Sequence, residues 1–281
     1  MSNLTYIKRI LKHPKYVLNE NFLLHPFDSL ITSKQILQSN HALFDCVNML
    51  TGDSIGNIQK YYDDIQSNTS LTNHIDNKFK TYDDYIIKSD FKNLKFSQEN
   101  PAGRLSRLSQ EHAGIFLYLL VRSVRPKFFV ETGVSAGESS TYILQAMQDN
   151  DFGELHSIDL PRATVEQGLT TIIPEGESSG WLIPDHLKNR WKLYLGKSEQ
   201  LLPEILKKLK NIDIFFHDSL HTYEHMFFEY STSWEFINEN GILVSDDITI
   251  MNGKGHSPLV DFANSKQKKI IVYNVLGGIK K

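Results

Sequence analysis

From residue 107 onward the chain alternates between short runs that are almost wholly apolar and longer runs in which apolar residues recur every three to four positions. The short runs "KFFVETG", "GELHSIDL", "RWKLYLG", "IDIFFHD" and "GILVSDD" read as strands. The longer ones, "RLSQEHAGIFLYLLVRSV", "ESSTYILQAMQ", "SEQLLPEILKKLK" and "HTYEHMFFEYSTSWEFINEN", read as helices between them. "KKIIVYNVL" adds a last strand near the C-terminus. Strands that are apolar on both faces and separated by helices predict a mostly parallel sheet covered on both sides, an α/β fold of the doubly wound, Rossmann-like kind. A Pro- and Gly-containing segment from Pro161 to Pro184 interrupts the alternation.

Residues 1–100 have a different texture. They are rich in Asn, Asp, Lys and Tyr, with short apolar stretches such as "NHALFDCVNML" and no strong strand, so helices and loops are expected. "SQENPAGRLSRLS" is the natural boundary, because Asn100-Pro101 and Gly103 are expected to break regular structure. The organisation expected is a mainly helical extension over 1–100 and an α/β domain over 101–281.

Composition narrows the partners. The 281 residues carry a net charge of −3, with no basic footprint for nucleic acid or anionic membrane. No apolar stretch is long enough to span a bilayer, and Lys8, Arg9 and Lys12 read as a solvated helix face. The N-terminus lacks a secretory pattern, so a cytoplasmic protein is expected. The single Cys46 cannot form an internal disulfide or a thiolate cluster, and reads as an inert buried thiol.

In a doubly wound sheet, ligands lie beyond the carboxyl ends of the strands, and the polar residues collect there. The first strand ends in Glu131-Thr132-Gly133 and runs on through Gly137, Glu138 and Ser139. Glycines let the backbone approach a ligand, and free amides at a helix start favour acidic groups. The G-x-x-x-G spacing is not the G-x-G-x-x-G of dinucleotide sites, and a plain tight turn explains it equally well. The second strand ends in Asp159, which can accept hydrogen bonds from both hydroxyls of a ribose. The third runs into Ser198, which would also serve simply as a helix N-cap.

The fourth strand ends in Asp218 and the fifth in Asp246-Asp247. Three carboxylates converging there would repel one another unless protons or a cation lay between them, and hard oxygen ligands suit Mg²⁺. His221 follows Asp218 by three residues and can face the same pocket, as a base for a hydroxyl held there. His221-Thr222-Tyr223-Glu224-His225 also spells the inverted zinc-protease pattern. That reading needs both histidines inside one helix and a further ligand downstream, whereas His221 follows a strand almost at once.

Taken together, Glu131-Thr132-Gly133 with Gly137, Asp159, Asp218 and Asp246-Asp247 resemble the class I S-adenosylmethionine-dependent methyltransferases. More narrowly, the pattern resembles metal-dependent O-methyltransferases of the catechol, sugar and macrolide types. "HDSLHTYEH…NGILVSDD" is similar to the bacterial methyltransferase family 24, which includes cephalosporin-hydroxylase-like proteins. The resemblance covers roughly residues 108–248.

The resemblance implies that Glu131, Gly133, Gly137 and Ser139 border the cofactor, with Asp159 at its ribose and Ser198 at its adenine. It implies a divalent ion on Asp218, Asp246 and Asp247, His221 as the base, and a small-molecule hydroxyl as acceptor. The second ligand pair is Asp-Asp where catechol-type enzymes have Asp-Asn. The 160–190 segment, with Arg162 and Trp181, is long enough to be a substrate cap. A nicotinamide oxidoreductase and a catalytically silent interaction module are the alternatives, and oligomeric state, a homo-oligomer included, stays open.

Overall fold

The computed structural model describes residues 41–88, 101–161, 173, 176–248 and 255–281. Its seven strands form one sheet in the order β3-β2-β1-β4-β5-β7-β6. They are β1 (Phe128–Thr132), β2 (Glu154–Asp159), β3 (Trp191–Leu195), β4 (Ile212–His217), β5 (Ile237–Ser245), β6 (Ile271–Tyr273) and β7 (Leu276–Lys280). β1, β2 and β3 pair in parallel, as do β4 and β5, while β7 runs antiparallel to β5 and to β6. The mostly parallel, doubly wound architecture expected from the alternation is what the chain adopts.

The chain divides into two compact units, residues 51–197 and residues 1–50 with 198–281. In the first unit, β1 is buried along almost its whole length, whereas β3 alternates partly buried and exposed residues, as an edge strand should. The same unit holds helices α2 (Ile55–Ser67), α3 (Thr69–Lys88), α4 (Pro101–Val124) and α5 (Glu138–Asn150). Ser54 caps α2 by accepting from Asn57 N at 3.1 Å. Arg122 on α4 meets Asp64 at 3.2 Å and lies over the Tyr61 ring at 4.5 Å, which ties α2 to α4. Pro101 is the first residue of α4, the position where its missing N–H costs nothing, and Gly103 lies within the helix.

In the second unit, α1 (Leu43–Thr51), α6 (Ser198–Leu209), α7 (Tyr223–Trp234) and α8 (Pro258–Ser265) accompany β4 to β7. Two expected elements are redrawn. The helix predicted to run to Asn240 stops at Trp234, and Ile237 already pairs with Ile212 of β4. A register irregularity follows, with Asn240 at φ 68° and Gly241 so close to Asp213 O that a Cβ would lie 2.7 Å from it. The last strand is a hairpin, turned at Asn274 with φ 54°. Gly278 of that hairpin lies against Leu50, and Cys46 Sγ donates to Val272 O at 3.2 Å. Burial pushes the Cys46 thiol up to about 12, which leaves it unreactive. Among the described residues no helix is long and apolar enough to cross a membrane.

Candidate active site

In the first unit the polar groups gather at the carboxyl ends of β1 and β2. Glu131 is fully buried on β1, and its Oε1 accepts from Ser140 Oγ at 2.5 Å and from Ser157 Oγ at 2.6 Å. Trp191 Nε1 in turn donates to Ser157 Oγ at 2.7 Å. Burial is the largest influence on Glu131 and raises its pKa to about 7, against the lowering effect of the two serines. Its second oxygen, Oε2, is buried and has no hydrogen-bond partner. A buried acceptor of this kind suits a donor brought by a ligand.

Asp159, at the end of β2, is only partly buried. Its Oδ2 accepts from Ser135 N and its Oδ1 from Leu160 N, both at 3.0 Å. These two bonds fix the carboxylate while each oxygen keeps further lone pairs, so it can still accept from a pair of ribose hydroxyls. Gly133 (φ 86°) and Gly137 (φ 90°) both take left-handed backbone. A Cβ on Gly137 would meet Gly180 Cα at 2.8 Å, so the glycine serves backbone packing on that side. Ser139 lies in the first turn of α5, but the serine that reaches Glu131 is its neighbour Ser140, which spacing alone did not single out. The residues present therefore fit a ligand with adjacent hydroxyls and a donor group, as S-adenosylmethionine has.

In the second unit Asp218, His221 and Asp246 bring one ligand atom each to within 4.8 Å of one another, a spacing that suits a metal ion. β4 and β5 run in parallel, and Asp246 N donates to His217 O at 2.9 Å, so the two aspartates follow neighbouring strand ends. Asp247 does not join that group. Its φ of 47° turns the backbone left-handed immediately after Asp246, and its Oδ2 lies 3.7 Å from His221 Nδ1. His221 Nε2 lies 3.7 Å from Asp218 Oδ1 and has no hydrogen-bond partner. Burial holds the His221 pKa below its ordinary value, with the Asp247 charge opposing. Burial thus favours the neutral imidazole.

A second polar cluster supports this edge. His217 and Glu229 are fully buried and meet at 2.6 Å between Nδ1 and Oε2. Glu229 Oε1 accepts from Ser219 Oγ at 3.0 Å and lies 2.9 Å from His225 Nε2. Ser198 Oγ lies 3.1 Å from the same His225 nitrogen, and Glu199 approaches the other at 3.4 Å. Burial alone would raise the Glu229 pKa, but hydrogen bonds from His217 and His225 hold it far below the usual carboxylate range. Residues on both sides of Asp218 are therefore pinned to one carboxylate. Strand-end position does not single out Glu229; its place four residues after His225 on one helix face was the available signal. The zinc-protease pattern does not assemble: His221 precedes α7, while His225 is turned to Glu229.

Of the 160–190 segment, Arg162 lies outside the described residues. Trp181 is buried against Phe79, with ring centroids 6.5 Å apart, and so is packed into its own unit.

Comparison with known proteins follows the same lines. Residues 130–248 match the family model for methyltransferase family 24, described as a methyltransferase domain. No curated protein matches the sequence significantly. Among solved structures the chain is similar to the SAH-bound methyltransferase PaMTH1 of Podospora anserina, at 14% identity and a TM-score of 0.47 over 74% of this chain and 86% of that one. It is similar to the O-methyltransferase TomG of Streptomyces achromogenes, at 14% identity and a TM-score of 0.42 over 60% and 79%. An O-methyltransferase of Bacillus cereus aligns at 12% identity and a TM-score of 0.44 over 72% and 97%. Scores and identities this low transfer neither substrate nor residue roles. The match over 130–248 spans the strand ends that carry Glu131, Asp159, Asp218 and Asp246, and over those residues the chain carries a methyltransferase domain similar to family 24.

Proposed function

We propose that this protein is a divalent-metal-assisted O-methyltransferase acting on a hydroxyl of a small molecule such as a sugar, a phenol or a natural-product intermediate. The observation that carries the reading is the convergence of Asp218, His221 and Asp246 at the ends of β4 and β5. A carboxylate pair facing a neutral imidazole suits a hydroxyl that must be oriented and deprotonated. The modest net charge and the lack of a basic stripe favour a small acceptor over nucleic acid.

When bound, S-adenosylmethionine supplies a methyl group already activated as a sulfonium, and a divalent cation on Asp218 and Asp246 supplies positive charge that acidifies a hydroxyl. The chain's own residues do the rest. Asp159 holds ribose hydroxyls, Glu131 offers its unpartnered Oε2 to a donor of the cofactor, and His221 Nε2 accepts the acceptor's proton. A second reading has His221 as third metal ligand, which its place within 4.8 Å of both carboxylates favours. Asp247, beside the other ring nitrogen, would then orient the ring.

Calorimetric titration tests the proposal. The protein should bind S-adenosylhomocysteine and not NADH, and should bind Mg²⁺ or Mn²⁺ in a manner abolished by Asp246→Asn. Absence of S-adenosylhomocysteine binding at millimolar concentration would overturn the cofactor assignment. Full turnover of an acceptor after exhaustive chelation would overturn the metal.

A further inference from the structure

We propose that helix α3 holds the turn Ser135–Gly137 in its cofactor-binding shape through the segment Gly180–Ile183, with His74 as the positioning residue. The inference rests on that turn being part of the cofactor site, and it gives a role to a helix that lies outside the matched domain.

The turn is not self-sufficient. Ser135 has φ 53°, a left-handed conformation that is unfavourable for a non-glycine residue and needs support from outside. One support is Asp159, which accepts from Ser135 N. The others come from the 180s. Gly180 N donates to Ser135 O at 2.9 Å, and Leu182 N donates to Ala136 O at 3.0 Å. A peptide unit is planar, so fixing the Ser135 carbonyl on one side aims the Ala136 N–H to the other. Two hydrogen bonds from one segment thus set the orientation of two successive peptide units between Gly133 and α5.

The segment approaches this closely because glycine meets glycine. A Cβ on Gly137 would stand 2.8 Å from Gly180 Cα, and one on Gly180 (φ 75°) would stand 2.3 Å from the Trp191 ring. Trp191 is also the residue that donates to Ser157, and so belongs to the chain of bonds ending on Glu131. The segment is thereby fitted to the turn on one face and to the Glu131 network on another.

It is also attached to α3. His74 Nε2 lies 2.9 Å from Leu182 O. A carbonyl only accepts, so this nitrogen carries the proton and donates. The Leu182 residue therefore gives its N–H to the cofactor turn and takes its carbonyl partner from α3. Beside it, Trp181 packs edge-on to Phe79, five residues further along the same helix, and Lys78 Nζ stands 5.8 Å from the indole. The relay runs from His74 to Leu182 to Ala136 entirely within residues 51–197.

The test compares His74→Ala with His74→Gln, whose amide can still donate to the carbonyl. Binding of S-adenosylhomocysteine is measured by calorimetry, and KM for S-adenosylmethionine and kcat by steady-state assay. His74→Ala should raise both the Kd and the KM roughly five- to twentyfold, the weight of one lost hydrogen bond, with kcat within about twofold of wild type. His74→Gln should recover most of the affinity, and amide exchange at Leu182 should quicken in the alanine variant alone. Should His74→Ala prove too unstable to measure, Phe79→Leu should raise the same Kd by loosening Trp181. Unchanged Kd in a folded alanine variant, or a fall in kcat with KM preserved, overturns the inference. Failure of the wild type to bind S-adenosylhomocysteine overturns the cofactor reading first and this inference with it.

Discussion

His217 Nδ1 lies 2.6 Å from Glu229 Oε2, and neither side chain reaches solvent. The same carboxylate takes Ser219 Oγ, so the residues before and after Asp218 share one anchor on α7. Removing one partner of a buried pair leaves the other polar group without compensation. Glu229→Ala should therefore destabilise the protein by about 3–5 kcal/mol, read by urea unfolding. The Glu229 pKa is held down in the folded state, so its contribution is present above the unfolded carboxylate range and is lost as pH falls. A variant as stable as wild type at pH 7 would show that the pair is not the anchor.

Glu131 has the opposite sign. Its folded pKa of about 7 lies above the ordinary value of 4.5, so the folded protein holds a proton that the unfolded chain has released. With respect to this group, stability is greatest below pH 4.5 and falls as pH rises through 7, by roughly 3 kcal/mol in all. Glu131→Gln, measured without cofactor, should flatten that decline between pH 5 and pH 8. An unchanged slope would place its origin elsewhere.

Asp159→Ala should weaken binding of S-adenosylhomocysteine by about 1–3 kcal/mol, the usual loss for hydrogen bonds to a charged group. Part of that loss would come from Ser135 N, which gives up its acceptor. Equal affinity in calorimetry would remove Asp159 from the cofactor site.

His221→Gln separates the two roles open to that residue. As general base, His221 should cost roughly 10²–10⁴ in kcat when replaced, with Mn²⁺ affinity unchanged. As a ligand, it should cost metal affinity as well, visible in direct titration without turnover. Near-wild-type kcat together with unchanged metal binding would exclude both roles.

The sequence by itself determined the architecture and the edge at which chemistry is possible. Continuous apolar runs such as Phe128–Val130 and Ile214–Phe216 can be buried on both faces only in a sheet flanked by helices. Burying them forces the polar residues that follow, Glu131, Asp159, Asp218 and Asp246, to the strand ends. That logic is local and survives without coordinates. It was weaker where a turn or a strand start competed with helical spacing, as at Ile237 and Asn274, because short apolar stretches carry both periods.

Only the tertiary structure decided which of those polar residues meet. Asp246 and Asp247 are adjacent in sequence, yet Asp246 gathers with both Asp218 and His221 within 4.8 Å, while Asp247 approaches the other nitrogen of His221 at 3.7 Å. Glu229 gains its partners only through the fold, which brings His217, Ser219 and His225 around it. His74 and Leu182 stand 108 residues apart, and their hydrogen bond ties α3 to a segment whose Gly180 lies against Gly137 of the turn. Hydrophobic periodicity reports which face of an element is buried. It carries no information on which distant side chain fills the space beside it, and that choice rests on packing and hydrogen-bond satisfaction across the whole fold.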